Sequence, residues 1–284
     1  MLFPAVVVVA GELLHLALAP ALIFGLGPFP PLGVAGAGVS LVTSYGLRAL
    51  ALAAYVLSDR SAVAPLRGVA RFQRALFVDI LRVGLPGSLN TILTSVNVMA
   101  TTGLVGSFGI SALAGYGAGA RLEYLQIPLV FGLGTALVTM VGTNVGAGNL
   151  ARARRVAWVG AGLAATVTGT LGLLAALLPW AWIGLFSTEP DVLAAGAAYL
   201  QLVGPAYALF GVGLALYFAS QGTGRLLWPL VAGSARLMTA GLGGWIAIHW
   251  LGGGLPALFA AIALAFVVFA TIQVAAIKAG SWQR

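Results

Sequence analysis

An all-α, polytopic transmembrane helix bundle of about eight spans is the fold class that the sequence predicts. Three observations carry it. Only 7% of the 284 residues are charged, 14 basic and six acidic, where an average soluble chain carries roughly 25%. Apolar residues make up 61%, and the mean hydropathy is +1.05. A soluble domain could not cover its surface with so few charges, and a disordered chain needs low hydrophobicity. The apolar runs, finally, are each close to the ~20 residues that one spanning helix takes.

The same composition removes several function classes. Cysteine is absent, so no disulfide framework or thiolate site is expected. His15 and His249 are far apart, and no His/Asp/Glu group has ligand spacing, so no metal is expected. Gly146-Ala-Gly148-x-x-Ala151 has the spacing of a dinucleotide fingerprint but lacks the strand and βαβ unit that motif needs. No GK[ST], HExxH, GxSxG or DxxD sequence occurs, and the dispersed acids argue against a magnesium-dependent membrane enzyme. No enzyme, no catalytic residue and no cofactor is therefore expected. The net charge of +8 is read as membrane topology rather than nucleic-acid binding.

The spans are read in chain order. Residues 2–25 form the first; it lacks a basic leader region, so it reads as a span and not as a cleaved signal. Residues 33–57 form the second. The connection that follows carries Arg60, Arg67, Arg71, Arg74 and Arg82. Within it, Val69, Phe72, Leu76 and Ile80 recur at helical spacing, which predicts an amphipathic helix over 66–82 on the inner membrane surface. Further spans are read at 82–106, 112–144, 156–180, 193–220, 227–249 and 254–277. The fourth is too long for one upright crossing and must tilt or protrude. Glycine, 40 residues of 284, lets such helices approach closely.

Every Arg and Lys outside the spans falls on one side: the connection after the second span, Arg152, Arg154 and Arg155, Arg225, Lys278 and Arg284. The alternate connections hold Glu189 and Asp191 instead. The positive-inside rule puts both termini in the cytoplasm of a multi-pass plasma (inner) membrane protein.

Charges inside the spans each need a reason, because one at the bilayer centre costs roughly 3 kcal/mol. The residues are Glu12, Arg48, Arg121, Glu123 and Arg236, with His15 beside them. Glu123 can bind a proton or cation, or form a structural pair with Arg48, Arg121 or Arg236; Arg121, two residues away, points elsewhere on the helix. Glu12 and His15 share a helical face, which reads as a polar contact inside the bundle and not as a metal site. Asn90, Thr94, Asn97 and Thr101 recur at steps that align them on one face of the third span, a stripe suited to a water-filled cavity. Thr135, Thr139 and Thr143 repeat the spacing on the fourth, where their hydroxyls can satisfy their own backbone. Pro86, Pro128 and Pro205 permit bends.

The stretch YGAGARLEYLQIPLVFGLGTALVTMVGTNVGAGNLARARRVAW at 116–158 resembles the multidrug and toxic-compound extrusion (MATE) family. LIFGLGPFPPLGVAGAG at 22–38, VGLPGSLN at 83–90 and the segment 186–209 support the resemblance. It implies a twelve-helix fold in two six-helix lobes, of which this chain would hold helices five to twelve. Residues 1–57 would be the last hairpin of the first lobe, 58–81 a cytoplasmic linker, and 82–284 the complete second lobe with its tail. It implies a cation-coupled antiporter that exports drugs or other organic, often cationic compounds by alternating access. Substrate would lie against Asn90, Thr94, Asn97 and Thr101, with Tyr124 and Tyr207 nearby. Glu123 would couple the ion, and Arg48, Arg121 and Arg236 would be intramembrane charge partners. The family's Asn-x-x-x-Asp-Pro run reads His15-x-x-x-Ala19-Pro20 here, and the seventh and tenth helices hold no mid-membrane acid. The resemblance therefore points to protons rather than sodium. A lipid-linked oligosaccharide flippase of the same superfamily, or an inactive truncated fragment, is the alternative.

Overall fold

The structure, a computed structural model, describes residues 2–58 and 73–282. The chain is helical throughout and divides into two compact units, Met1–Gln73 and Arg74–Arg284. The first part of the predicted amphipathic helix, residues 66–72, lies outside the described residues. Its last part, from Arg74 onward, belongs to the long third helix.

The first unit is a hairpin of α1 (Leu2–Phe24) and α2 (Val34–Leu57). The turn is held by two backbone bonds, Leu32 N to Leu22 O at 2.9 Å and Gly33 N to Ile23 O at 3.2 Å. The sequence called for a polar contact here, and the hairpin contains one. Arg48 Nη1 donates to Glu12 Oε1 at 2.7 Å, and the Arg48 stem lies across Gly11, where a Cβ would collide with it. Ser40 Oγ lies 3.4 Å from His15 Nδ1.

The second unit comprises α3 (Arg74–Gly106), α4 (Ile110–Gly146), α5 (Leu150–Leu177), a short α6 (Pro179–Ile183), α7 (Pro190–Val203), α8 (Tyr207–Gly222), α9 (Leu227–Leu237), α10 (Gly244–His249) and α11 (Gly254–Lys278). Helix α8 packs on α4, α5 and α11, while α3 packs chiefly on α9. A 3-10 turn containing Pro205 joins α7 to α8. A π-helical turn, Met238–Gly243, joins α9 to α10.

Among the described residues, six helical stretches are long and apolar enough to cross a membrane, counting Pro190–Gly222 as one. Two predicted spans are helical but fall outside that set. One is helix α3; the other, 227–249, is interrupted by the π-helical turn. The core is built by small residues as much as large ones. At Gly172 a Cβ would fall on the Gly204 carbonyl oxygen, and Gly142 and Gly222 meet in the same way. Such contacts bring helix backbones together in lipid, where apolar burial offers no advantage over the tails.

The segment that mimicked a dinucleotide fingerprint is a helix end. Gly148 has φ 76°, its N–H donates to Val145 O at 3.0 Å, and Asn149 N–H donates to Asn144 O at 2.8 Å. That double bond pattern with a left-handed glycine terminates α4 and turns the chain into α5.

Candidate functional site

A cavity of about 890 Å³ lies within the second unit, a size suited to a drug-like molecule. Helix α3 supplies one wall, where Asn90, Thr94 and Asn97 of its polar stripe lie. Thr135 and Thr139 of α4 add hydroxyls, and Phe131, Phe210, Phe218 and Phe269 supply aromatic surface. The threonines satisfy their own helices: Thr94 donates to Asn90 O at 3.0 Å, Thr135 to Gly132 O at 2.9 Å and Thr139 to Thr135 O at 3.1 Å. Each hydroxyl thus spends its one proton on the backbone and turns lone pairs outward.

One buried charge pair stands beside this cavity. Arg236 Nη2 donates to Glu123 Oε1 at 3.0 Å, joining α9 to α4, and the two side chains are only 11% and 14% exposed. Tyr199 Oη donates to Glu123 Oε2 at 3.5 Å. The Arg236 guanidinium also sits over the rings of Phe266, Phe210 and Phe269, at 4.7, 5.1 and 5.9 Å from their centroids. Cation–π contact of this kind strengthens when desolvated. Arg236 is therefore held by a carboxylate on one side and by aromatic faces on the others, and it is also the charged residue that lines the cavity.

The structure distributes the remaining sequence candidates. Thr101 and Tyr124 line a second, small void next to Glu123, together with Asn97 and Arg236. Tyr207 lines neither space. It is fully buried, with its ring 6.1 Å from that of Phe266, because its helix face packs into the core. Arg121 is exposed and lies over the Phe186 ring at 4.8 Å, and Arg48 belongs to the hairpin, paired with Glu12. Of the three arginines offered as partners for Glu123, Arg236 is the one bonded to it. The aromatic cage of Phe210, Phe266 and Phe269 was not read from the sequence. Phenylalanines in apolar helices carry no spacing signal that separates cage from core. Gly233, one turn before Arg236, lines the same cavity and was not read from the sequence either.

The MatE family profile matches residues 86–244, the stretch that supplies most of the lining of both spaces. YoeA of Bacillus subtilis, named a probable multidrug resistance protein, is 30% identical over 232 residues, covering 80% of this chain and 50% of that one. A protein of Shewanella oneidensis named an FAD transporter is 28% identical, over 83% of this chain and 52% of its own. The fold superposes on that of a MOP superfamily transporter from Pyrococcus furiosus with a TM-score of 0.87 at 21% identity, over 98% of this chain and 63% of that one. The chain thus spans about half the length of the curated relatives it matches. With the family profile laid over the cavity, the charge pair and the motif at 116–158, this multi-pass membrane chain belongs to the MatE family of transporters.

Proposed function

We propose that this chain forms the greater part of a cation-coupled efflux transporter that exports small organic compounds, drugs among them, by alternating access across the plasma membrane. One observation carries the reading: a drug-sized cavity in the second unit is bordered by Arg236, whose carboxylate partner, Glu123, is buried within the apolar helix α4. A carboxylate held there by a single arginine and a tyrosine is a two-state device. Protonation removes its charge and frees Arg236 to move within its aromatic cage. Loss of the proton restores the pair. Substrate bound against Asn90, Thr94 and Asn97 competes for the same neighbourhood. In this reading residues 82–284 are the second lobe, 58–81 the linker and 1–57 the last hairpin of the first, with both termini cytoplasmic and protons as the coupling ion.

The oligosaccharide flippase reading would call for a more basic cavity. Arg236 is the basic residue of this one, and it is already paired. The FAD transporter among the relatives keeps planar, polar aromatic molecules within the substrate range. The test is proton exchange in proteoliposomes, driven by an added organic cation. Glu123→Gln should abolish substrate-driven proton release when equal amounts of folded, reconstituted protein are compared. Proton release at the wild-type rate in that variant would sink the coupling role.

A further inference from the structure

Asn97 and Arg236 each line two spaces, the large cavity and a small void of about 20 Å³. Thr101, Tyr116, Glu123 and Tyr124 complete the polar lining of the void. Room for one water takes at least ~10–15 Å³ and two to four polar partners. The void meets both conditions.

The hydrogen bonds around it leave acceptor capacity unused. Thr101 Oγ1 donates to Asn97 O at 2.9 Å, so in its 3.2 Å contact with Tyr116 Oη the tyrosine is the donor. The Glu123 carboxylate accepts from Arg236 and Tyr199 and has lone pairs to spare. Asn97 Oδ1 is buried with no hydrogen-bond partner in the protein, although buried polar atoms nearly always have one. Two residues with acceptors to spare, Asn97 and Glu123, thus line a space the size of one water, and a water has two protons to donate.

We infer that this void is a single-water site, and that its water is the step by which a proton passes between Glu123 and the large cavity. The inference rests on Glu123 being the titrating group proposed above. With Glu123 ionised, the water donates one hydrogen bond to Asn97 Oδ1 and one to the carboxylate. For release, the Glu123 O–H bond breaks and its proton bonds to the water oxygen, while that water passes one of its own protons to a water in the cavity. Uptake is the reverse, and no electrons move. Arg236 cannot replace the water, since its guanidinium does not deprotonate. Its charge, 3.0 Å from Glu123, also repels a metal cation from the same carboxylate. Asn97 is a positioning residue here: it holds the water at the border of both spaces.

The test is infrared difference spectroscopy on the whole chain in lipid nanodiscs, with pH stepped and Glu123→Gln used to assign the carboxylic C=O band. After transfer to D2O, the isotope shift of that band reports how fast the Glu123 proton exchanges. Asn97→Leu should slow the exchange about tenfold or more while the band persists. Asn97→Ser, small and polar, should recover much of the rate. Ala265→Val fills the void from α11 without removing a polar group and should slow exchange likewise, so the test survives if Asn97→Leu does not fold. Wild-type exchange in both filled variants, with the band present, would overturn the water route and leave the coupling role of Glu123 standing. A band absent at every pH would overturn both. A band that shifts when sodium replaces potassium would make the void a cation site and overturn the water.

Discussion

At the scale of the residue, the Glu123–Arg236 pair is where sequence and structure inform each other most. Glu123 was legible because a lone carboxylate in an apolar helix is expensive and needs a partner. Its partner was not. Helical spacing removes Arg121, two residues away, but nothing along the chain chooses between Arg48 and Arg236. That choice is made by α9 packing near α4, a tertiary fact. Removing one member of a buried pair leaves the other uncompensated. Arg236→Ala should therefore lower stability by about 3–5 kcal/mol, read as a fall in the unfolding midpoint in detergent. The double variant Glu123→Gln with Arg236→Gln should recover more than half of that loss, because neither group then carries a buried charge. A double variant as unstable as Arg236→Ala alone would show that the cage of phenylalanines, not the carboxylate, holds the arginine. Tyr207 teaches the opposite lesson: a tyrosine in a span can be placed on a helix by spacing, but whether its face meets a cavity or the core is decided by its neighbours.

At the scale of the element, the polar stripe on α3 was legible from period alone, because amides and hydroxyls at alternating steps of four and three must share a face. Helix contacts were less legible, since 40 glycines offer far more small surfaces than there are crossings. Gly172 and Gly103 separate the cases. A Cβ at Gly172 meets the Gly204 carbonyl oxygen, whereas one at Gly103 meets nothing within 4 Å. Gly172→Ala should destabilise by roughly 1–3 kcal/mol through overpacking between α5 and the turn at Pro205. Gly103→Ala should stay within about 0.5 kcal/mol of the parent or gain slightly, as expected for a helical glycine with free space. Thermal unfolding of the two variants side by side checks this, and equal behaviour would contradict the close approach.

At the scale of the whole molecule, composition was enough to name the bilayer as solvent, and the distribution of arginine proposes an orientation. The absence of cysteine makes that orientation easy to measure, because every introduced thiol is unique. Cysteine at Ala147 or Gly224 should react with a membrane-impermeant maleimide only from the cytoplasmic side, and cysteine at Ser187 or Gly252 only from the outside. Labelling of Ser187→Cys from the cytoplasm would reverse the proposed topology. The share of the relatives' length that this chain spans was also legible from the family resemblance, but the geometry of the ion pair and its void was not. It depends on α3, α4, α9 and α11 meeting at one depth, and no local signal encodes that convergence.

The π-helical turn at Met238–Gly243 sits immediately after Arg236 on the chain. A ladder of i→i+5 bonds holds an extra residue compared with the i→i+4 ladder of an ordinary helix. Deleting one residue there would let α9 and α10 merge into a single regular helix with Arg236 keeping its bearing, because the π turn fits its extra residue into the arc of an ordinary turn. The same deletion in the regular helix beyond it would rotate Arg236 by about 100° relative to everything that follows. The turn is therefore a place where the chain absorbs a change of length without turning the arginine away from Glu123.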